Sequence, residues 1–424
     1  MTMTQQKFAS ISMIGLGYIG LPTAAMFAAR RVKVVGVDIN EQAVETINRG
    51  QIHIVEPELD MIVHSAVTQG FLRATIRPEA ADAFLIAVPT PFKGEHEPDV
   101  SFVKSAAESI APVLRPGNLV VLESTSPVGT TEQMVDWLAQ ARPDLRFPQQ
   151  GRTEFDVNVA YCPERVLPGQ VVRELVSNDR IIGGLTSQCS ARAVELYSTF
   201  VEGQLLVTNA RTAEMCKLTE NSFRDVNIAF ANELSLICDR IGIDVWELIR
   251  LANRHPRVNI LQPGAGVGGH CIAVDPWFIV DKTPDLARLI RSAREVNDSK
   301  PGWISQRVRA AIAAKSARCG GEDKVTVAVL GLAFKPNIDD LRESPALHIA
   351  EDLLRSTDAR FLFVEPNVQR LPRTLGAAES TPLEIALSQA DVVAVLVAHK
   401  EFSSLQTKLA PEQAVVDAVG ILRV

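Results

Sequence analysis

The sequence contains no apolar stretch long enough to cross a bilayer, and it therefore predicts no membrane insertion. Its first ten residues are polar and lack the apolar core of a signal peptide, from which we expect a cytoplasmic protein. The six cysteines never form a CxxC pair, which argues against a disulfide framework or a zinc site, and we predict no metal. A net charge of −7 argues against a nucleic-acid partner, so an anionic substrate would have to be held by local donors.

The composition is that of a folded protein with more than one core. Of the 424 residues, 46% are hydrophobic and 22% are charged, as in ordinary globular domains. A chain of this length exceeds the size at which a single hydrophobic core stops growing, so two or three domains are expected.

Strand and helix patterns alternate in both terminal parts of the chain. Buried strands are predicted at residues 11–14, 32–37, 84–88 and 119–123, and again at 325–330, 360–364, 391–397 and 414–419. Between these regions, residues 213–242 form one long helical pattern that is apolar on several sides and that Gly242 can cap. The sequence therefore predicts an α/β fold with two Rossmann-like doubly wound domains joined by a long central helix.

A glycine fingerprint, Gly15-x-Gly17-x-x-Gly20, follows the first predicted strand and opens a helix. Such glycines let the backbone approach a pyrophosphate, whose charge the helix N-terminus favours. Asp38 closes the second strand, where its carboxylate can accept from ribose hydroxyls and would repel a 2′-phosphate. The pattern predicts NAD rather than NADP as the cofactor. The alternative is a glycine turn required only for packing.

Two turns rich in hydroxyl groups follow predicted strands. Thr90 lies in the first turn, and Thr125 and Thr131 lie in the second. Ligands of open parallel sheets bind beyond the carboxyl ends of the strands, so these hydroxyls could line the nicotinamide or its ribose. Ordinary turn and N-cap chemistry explains them equally well.

The most informative segment is Gly268-Gly269-His270-Cys271-Ile272-Ala273-Val274-Asp275, in which one cysteine follows a glycine-rich turn. Most free cysteines are small buried hydrophobic residues, as we expect for the other five. An exposed thiol on such a turn could ionise and act as a nucleophile. With a hydride acceptor it would allow an alcohol to become an aldehyde, a thiohemiacetal, a thioester and finally an acid. Asp275 could orient water, or it could be a plain turn residue.

Lys217, Asn221 and Arg224 fall on one face of the long helix. A lysine and an amide side by side on a largely apolar helix indicate donors aimed at a developing oxyanion. A solvated polar stripe is the alternative.

Two other segments carry charged groups whose roles the sequence leaves open. Glu164 could position water while Arg165 holds an anion, or the two could form a structural ion pair. Residues 331–336 occupy the place of a phosphate-binding turn but keep only its first glycine, while Lys335 and Arg342 supply cations. This substitution indicates a nucleotide other than the dinucleotide cofactor.

Taken together, these segments resemble the UDP-glucose/GDP-mannose dehydrogenase family over essentially the whole chain. The strings that carry the resemblance are the Gly15–Gly20 fingerprint, Ser124-Thr125-x-x-x-Gly129-Thr130, Pro163-Glu164, the Lys217 and Asn221 helix, Gly268-Gly269-x-Cys271-x-x-x-Asp275, and Gly331-Leu332-Ala333-Phe334-Lys335-Pro336 leading to Asp340-x-Arg342-Glu343-Ser344-Pro345. The resemblance implies a four-electron, NAD-dependent oxidation of the C6 hydroxyl of a nucleotide sugar to a uronic acid.

The resemblance also assigns roles to individual residues. Cys271 is then the nucleophile, Lys217 the acid/base group and oxyanion donor, and Asn221 a second oxyanion donor, with Glu164 and Asp275 assisting the hydrolytic water. Contacts to the cofactor are expected from Gly15, Gly17, Tyr18, Ile19, Gly20, Asp38, Thr90, Thr125, Thr131 and Arg342. Contacts to the sugar nucleotide are expected from Arg165, Val166, Lys217, Asn221, Arg224, His255, Arg257, Gly268 and Lys335.

The same resemblance implies the domain organisation and the assembly. Residues 1–210 would be the NAD-binding Rossmann domain, 211–315 a central helical and dimerisation region with the cysteine loop, and 316–424 a Rossmann-like domain that binds the UDP-sugar. The family is dimeric through the central helix, and Arg257 is expected to reach the substrate of the partner subunit.

Two departures from the UDP-glucose branch narrow the expected substrate. This chain has Cys162-Pro163-Glu164-Arg165-Val166 where that branch has Asn-Pro-Glu-Phe-Leu, and Val267 where it has Phe. Both fit the branch that acts on N-acetylated UDP-hexosamines, and the chain most resembles members that oxidise UDP-N-acetyl-D-mannosamine for a bacterial surface polysaccharide. UDP-glucose and UDP-N-acetylglucosamine remain alternative substrates. A two-electron hydroxyacid dehydrogenase and a non-catalytic NAD-binding regulatory protein remain alternative functions.

Overall fold

The computed structural model describes residues 8–422 except 55, 95, 150–153, 168, 270, 319–323, 369, 377 and 378. Cys319 lies outside this range. The chain divides into two compact units, residues 1–220 and 221–424. None of the helices in the described part combines the length and apolar character that crossing a membrane requires.

Within the described residues, the first unit is built on an eight-stranded sheet of order β10-β9-β8-β7-β4-β1-β2-β3. Its strands are β1 Ser10–Ile14, β2 Lys33–Val37, β3 Leu72–Thr75, β4 Ala83–Ile86, β7 Leu119–Leu122, β8 Asn158–Tyr161, β9 Arg180–Gly184 and β10 Leu205–Asn209; β5 Phe92–Lys93 and β6 Glu97–Pro98 form a separate hairpin. The helices between them are α1 Gly20–Ala29, α2 Glu41–Asn48, α3 Leu59–Thr68, α4 Ser101–Ile110, α5 Thr130–Ala141, α6 Val171–Ser177 and α7 Ser187–Tyr197.

The first unit confirms the doubly wound α/β fold and adds one reversal of direction. Strands β8, β7, β4, β1, β2 and β3, which are neighbours in this order, run parallel to one another. Strand β9 pairs with β8 in the antiparallel sense. Strands β1, β4, β7 and β8 are almost wholly buried, because helices cover both faces of the sheet. Buried strands read as continuous apolar runs, and such runs carry no information on strand direction.

The second unit contains a smaller, fully parallel sheet of order β12-β11-β13-β14 among its described residues. Its strands are β11 Thr326–Leu330, β12 Arg360–Val364, β13 Val392–Val395 and β14 Ala414–Asp417. The remaining helices are α8 Ala210–Ile241, α9 Val245–Ala252, α10 Asp275–Lys282, α11 Arg288–Arg318, α12 Pro345–Ser356 and α13 Leu383–Gln389.

The long central helix is confirmed as α8, and the division between the two units falls within it. Gly242 follows the helix with φ of +73°, a left-handed conformation that glycine adopts without a Cβ clash and that ends the helix. Several apolar side chains of α8 remain exposed in the single chain: Met215, Phe223, Phe230, Ile237 and Ile241.

Candidate active site

The glycines of the first Rossmann turn have different physical roles. A Cβ at Gly15 would lie 2.4 Å from the Ala87 carbonyl oxygen, and one at Gly20 would lie 1.8 Å from the Gly15 carbonyl oxygen. These two glycines are required by packing. A Cβ at Gly17 would meet no described atom within 4 Å, and no side chain caps the N-terminus of α1. The open approach at Gly17 and the uncapped helix end fit the pyrophosphate of a dinucleotide.

Asp38 lies directly after β2 and organises the same turn. Its carboxylate oxygens accept the Leu16 and Asn40 backbone N–H groups, each at 2.9 Å. Each oxygen keeps a further lone pair for a ribose hydroxyl. Sequence reasoning missed His53, which lies near Asp38. Burial lowers the pKa of His53 below its usual value, although the Asp38 carboxylate acts in the opposite direction. Nothing in the sequence indicates that this histidine lies near Asp38.

The two hydroxyl-rich turns are joined to each other. The Thr90 hydroxyl donates to the Thr125 carbonyl at 2.6 Å, and the Val88 N–H donates to the Ser124 hydroxyl at 2.9 Å. Since both turns follow neighbouring strands β4 and β7, they form one polar surface at the carboxyl edge of the sheet. This is the edge at which ligands of such sheets bind.

Thr131 is buried and bound to a carboxylate that the sequence did not single out. Its hydroxyl donates to Glu214 Oε1 at 2.6 Å, and the same carboxylate accepts the Thr131 and Gly129 N–H groups at 2.8 and 2.6 Å. Glu214 thus caps α5 from α8, and burial raises its pKa. The hydroxyl hydrogen of Thr131 is committed to this cap, which leaves only its oxygen lone pairs for a ligand.

Glu164 and Arg165 do not pair through their side chains. Glu164 is buried; its Oε1 accepts the Arg165 backbone N–H at 2.6 Å and its Oε2 accepts Arg180 Nη2 at 3.0 Å. The Arg165 guanidinium instead contacts both carboxylate oxygens of Glu220 on α8, at 2.7 and 3.1 Å. Val166 is half-buried against the core of this unit. The ion pair between Glu164 and Arg165 that the sequence allowed is therefore not formed. Two other pairs, Glu164 with Arg180 and Arg165 with Glu220, fix the loop instead.

Cys271 is exposed, whereas Cys162, Cys189 and Cys238 are buried. The Cys271 carbonyl accepts the N–H groups of Val274 and Asp275 at 3.1 and 2.8 Å, in the turn that leads into α10. Cys271 therefore differs from these three as expected, but the expectation was wrong for Cys216, which is half-buried on α8. The exposed position on a tight turn leaves the thiol accessible to a substrate.

The cysteine turn is fastened to α8 at two points in the second unit. The Asn221 side-chain amide donates to the buried carboxylate of Asp275. The second point involves Arg294, a buried residue of α11 that donates to Asp225 on α8 at 2.6 Å and to the Ile272 carbonyl at 3.5 Å. Sequence reasoning missed Asp225 and Arg294, because nothing local distinguishes a buried pair from surface charges 69 residues apart.

The glycine-rich approach to Cys271 packs against the second Rossmann turn. A Cβ at Gly268 would lie 2.4 Å from the Glu343 carbonyl oxygen, and one at Gly269, whose φ is +82°, would lie 2.9 Å from the Phe334 ring. The structure thus brings the cysteine turn beside residues 331–345, where half-buried Lys335 is located. The glycines are needed because a Cβ at either position would overlap backbone or side-chain atoms of residues 334–345.

The remaining predicted residues occupy different places. Lys217 lies on α8 one turn before Asn221 and is half-buried, and Arg224 is exposed one turn further. His255 and Arg257 lie on an exposed turn after α9, where the Arg257 N–H donates to His255 Nδ1 at 3.3 Å. Arg342, expected at the cofactor, lies in the second unit and pairs with Asp340 at 2.6 Å. In the described part of the chain, no three His, Cys, Asp or Glu side chains are grouped as a metal site would require.

Comparison with protein families finds three models of the UDP-glucose/GDP-mannose dehydrogenase family along the chain. The NAD binding domain matches residues 9–201, the central domain 211–299 and the UDP binding domain 328–424.

Individual relatives match over nearly the full length. A UDP-N-acetyl-D-mannosamine dehydrogenase from Yersinia pestis is 65% identical, over 98% of this chain and 100% of the relative. An NDP-N-acetyl-D-galactosaminuronic acid dehydrogenase from Ralstonia nicotianae is 61% identical, over 98% and 96%. A solved UDP-D-ManNAc dehydrogenase from Pyrococcus horikoshii superposes with a TM-score of 0.86 at 38% identity, over 98% of this chain and 96% of that one.

Proposed function

The chain belongs to the UDP-glucose/GDP-mannose dehydrogenase family, and from this premise we propose that it oxidises the C6 hydroxyl of UDP-N-acetyl-D-mannosamine to the uronate through a covalent cysteine intermediate. It is an NAD-dependent UDP-sugar dehydrogenase, as its closely similar full-length relatives are. The observation that carries the covalent step is the exposed Cys271, on a turn fastened to α8 by the contact between Asn221 and Asp275.

NAD, when bound, accepts one hydride in each oxidation, so that R–CH2OH, two NAD+ and one water give R–COO−, two NADH and three H+. Lys217 takes the proton of the C6 hydroxyl in the first oxidation. The Cys271 thiolate then attacks C6 of the aldehyde, and a C–S bond forms while the carbonyl oxygen becomes an oxyanion. Loss of hydride from C6 of this thiohemiacetal gives the thioester.

Two donors on α8 stabilise the oxyanion. The Lys217 ammonium is one, and the second N–H of the Asn221 amide is the other, because only one of its two N–H groups is engaged by Asp275. Removal of one such donor commonly costs about 3 to 4 kcal/mol of transition-state stabilisation. In the last step water adds to the thioester carbon, the C–S bond breaks and the thiolate of Cys271 leaves. Glu164 and Asp275 orient this water and accept its proton.

The UDP moiety is assigned to the second Rossmann unit. Its first turn keeps Gly331, with φ of +87°, but places Glu365 against the backbone, where it accepts the Leu332 and Ala333 N–H groups at 2.7 and 3.0 Å. Those N–H groups are therefore occupied. Lys335 supplies the cation for the diphosphate beside the cysteine turn.

We propose that the protein acts as a homodimer through α8. Phe223, Phe230 and Ile237 recur every seven residues and Ile241 follows one turn later, so they lie on one face of the helix. Each is 48% to 71% exposed in the single chain, and contiguous apolar surface of this kind marks an interface. The exposed Arg257 would then reach the substrate of the partner subunit. Mixed dimers of Arg257→Ala and Cys271→Ala subunits should recover activity; failure to do so with mixing demonstrated would contradict a shared site.

A panel of UDP-sugars tests the activity itself. UDP-N-acetyl-D-mannosamine should release two NADH per sugar and yield the uronate, identified by mass spectrometry. A hydroxyacid dehydrogenase would release one NADH per substrate, and a regulatory protein none. The Ralstonia relative supports including UDP-N-acetylgalactosamine beside UDP-N-acetylglucosamine and UDP-glucose. Faster oxidation of any of these three would reassign the substrate without affecting the mechanism.

A further inference from the structure

A buried polar cluster lies behind Glu164 in the first unit. Glu123 follows β7, Arg180 begins β9 and Tyr197 ends α7, and all three side chains are almost wholly inaccessible to solvent. The Tyr197 hydroxyl donates to Glu123 Oε1 at 2.5 Å. Arg180 Nη1 lies 4.0 Å from the same oxygen, while Arg180 Nη2 lies 3.0 Å from Glu164 Oε2. Two carboxylates therefore share one guanidinium.

The guanidinium has little freedom to move. Its central carbon lies 4.9 Å from the centre of the Tyr197 ring and 5.6 Å from that of Phe200. The Cys162 sulfur lies 3.8 Å from Arg180 Nη1, and burial raises the pKa of this thiol to about 11, so it stays neutral. Among the described groups that contact Arg180, Glu123 and Glu164 are the two that carry a carboxyl group, and they share the guanidinium.

Glu123 carries two signs of a carboxyl group that holds a proton. Its Oε2 is buried and has no hydrogen-bond partner among the described residues. Burial raises its pKa to about 7, and Glu164 acts in the same direction, while Arg180 and the Tyr197 hydroxyl oppose the rise. Ordinary carboxyl groups are fully ionised at this pH.

We propose that Glu123 is a positioning residue for Glu164, which acts through Arg180 to set how strongly the Glu164 carboxylate attracts a proton. With Glu123 protonated, Arg180 is directed at Glu164 alone and makes it a weak base. With Glu123 ionised, the guanidinium is shared and a second negative charge lies close by, so Glu164 becomes a stronger base toward water. This inference rests on the proposed role of Glu164 in thioester hydrolysis.

Glu123→Gln tests the inference, because the amide keeps the size and the acceptor for Tyr197 but cannot ionise. The measurement is the single-turnover rate of uronate formation between pH 6 and 9 with saturating NAD and UDP-N-acetyl-D-mannosamine. A nearby like charge shifts a carboxyl pKa by about 1 to 3 units and general-base efficiency rises only fractionally with basicity, so we expect a loss of roughly 3- to 10-fold at pH 8.5. At pH 6, where Glu123 is protonated in the wild type, the rates should agree.

Three companion variants separate this effect from a structural one. Tyr197→Phe removes a hydrogen bond that favours ionised Glu123, so Glu123 should ionise at a higher pH. The increase in the rate of uronate formation that accompanies this ionisation should therefore also move to higher pH. In a Glu164→Gln background, adding Glu123→Gln should change nothing further. Glu195→Gln alters a carboxylate on α7 that pairs with Arg192 at 2.5 Å, and its pH profile should match that of the wild type.

A titration of the protein labelled with 13C at the glutamate carboxyl gives a readout that does not depend on turnover. The resonance lost in Glu164→Gln identifies Glu164; in the wild type its chemical shift should change as Glu123 ionises near pH 7, and in Glu123→Gln this change should be absent. A Glu164 chemical shift that does not respond to pH near 7 in the wild type, or an equal rate loss at every pH that also appears in the Glu164→Gln background, would overturn the inference. If the wild type makes no uronate, the proposed function fails instead, and the titration still decides whether Glu123 acts on Glu164.

Discussion

Gly268→Ala should damage catalysis far more than a single methyl group ordinarily does. Gly268 does not adopt a left-handed backbone, so the substitution acts through space alone. The added Cβ would lie 2.4 Å from the Glu343 carbonyl oxygen and 2.7 Å from Pro345 Cδ, and the segment must move by about 1 Å to reach the 3.4 Å of an ordinary contact. A displacement of that size at a reacting group costs about 100-fold in rate, and overpacking costs about 1 to 3 kcal/mol of stability.

Gly264→Ala is the matched control, because a Cβ there would meet nothing within 4 Å and the backbone is likewise not left-handed. Its stability should change by less than about 0.5 kcal/mol. The assays are kcat from NADH release, urea unfolding followed by tryptophan fluorescence, and the rate at which iodoacetamide alkylates Cys271. If Gly268→Ala equals Gly264→Ala in all three, the close packing of the cysteine turn on residues 331–345 is not what holds the nucleophile.

Four further outcomes are expected. Cys271→Ser should abolish uronate formation yet bind UDP-sugar, and UDP-sugar should protect the wild-type thiol from alkylation. Asp38→Ala should raise the KM for NAD and narrow its preference over NADP, measured by the ratio of kcat/KM values. Arg294→Met leaves Asp225 buried without its cation and should lower the free energy of unfolding by about 3 to 5 kcal/mol, with partial recovery when Asp225→Asn is added. Because the folded pKa of Glu123, about 7, exceeds the usual 4.5, the contribution of this carboxyl group to native stability is lost as pH rises from 4.5 to 7. In urea unfolding, the free energy of unfolding of Glu123→Gln should therefore rise relative to that of the wild type by at most about 3 kcal/mol between pH 4 and pH 8.

Local sequence patterns predicted the alternation of strands and helices and the exposed position of Cys271. Apolar runs bounded by turns located the strands, and Arg360–Val364 has the predicted bounds. Helix ends were less well predicted: the helix expected at residues 213–242 is Ala210–Ile241. The exposed Cys271 could be anticipated because the glycines that precede it, Gly268 and Gly269, indicate a tight turn with little side-chain cover. All of these features depend on neighbours within a few residues.

The sequence by itself determined the alternation of elements, the glycine turns and the exposed position of Cys271, because backbone conformation and hydrophobic periodicity depend on adjacent residues. Only the tertiary structure decided which charges lose their water. In the sequence, nothing distinguishes Glu123, Glu214 and Asp225 from surface carboxylates. In the structure, each is buried beside a hydrogen-bond partner that lies 69 to 83 residues away along the chain. Burial raises the pKa of all three carboxyl groups, and their hydrogen-bond partners oppose the rise; both effects depend on packing between distant segments.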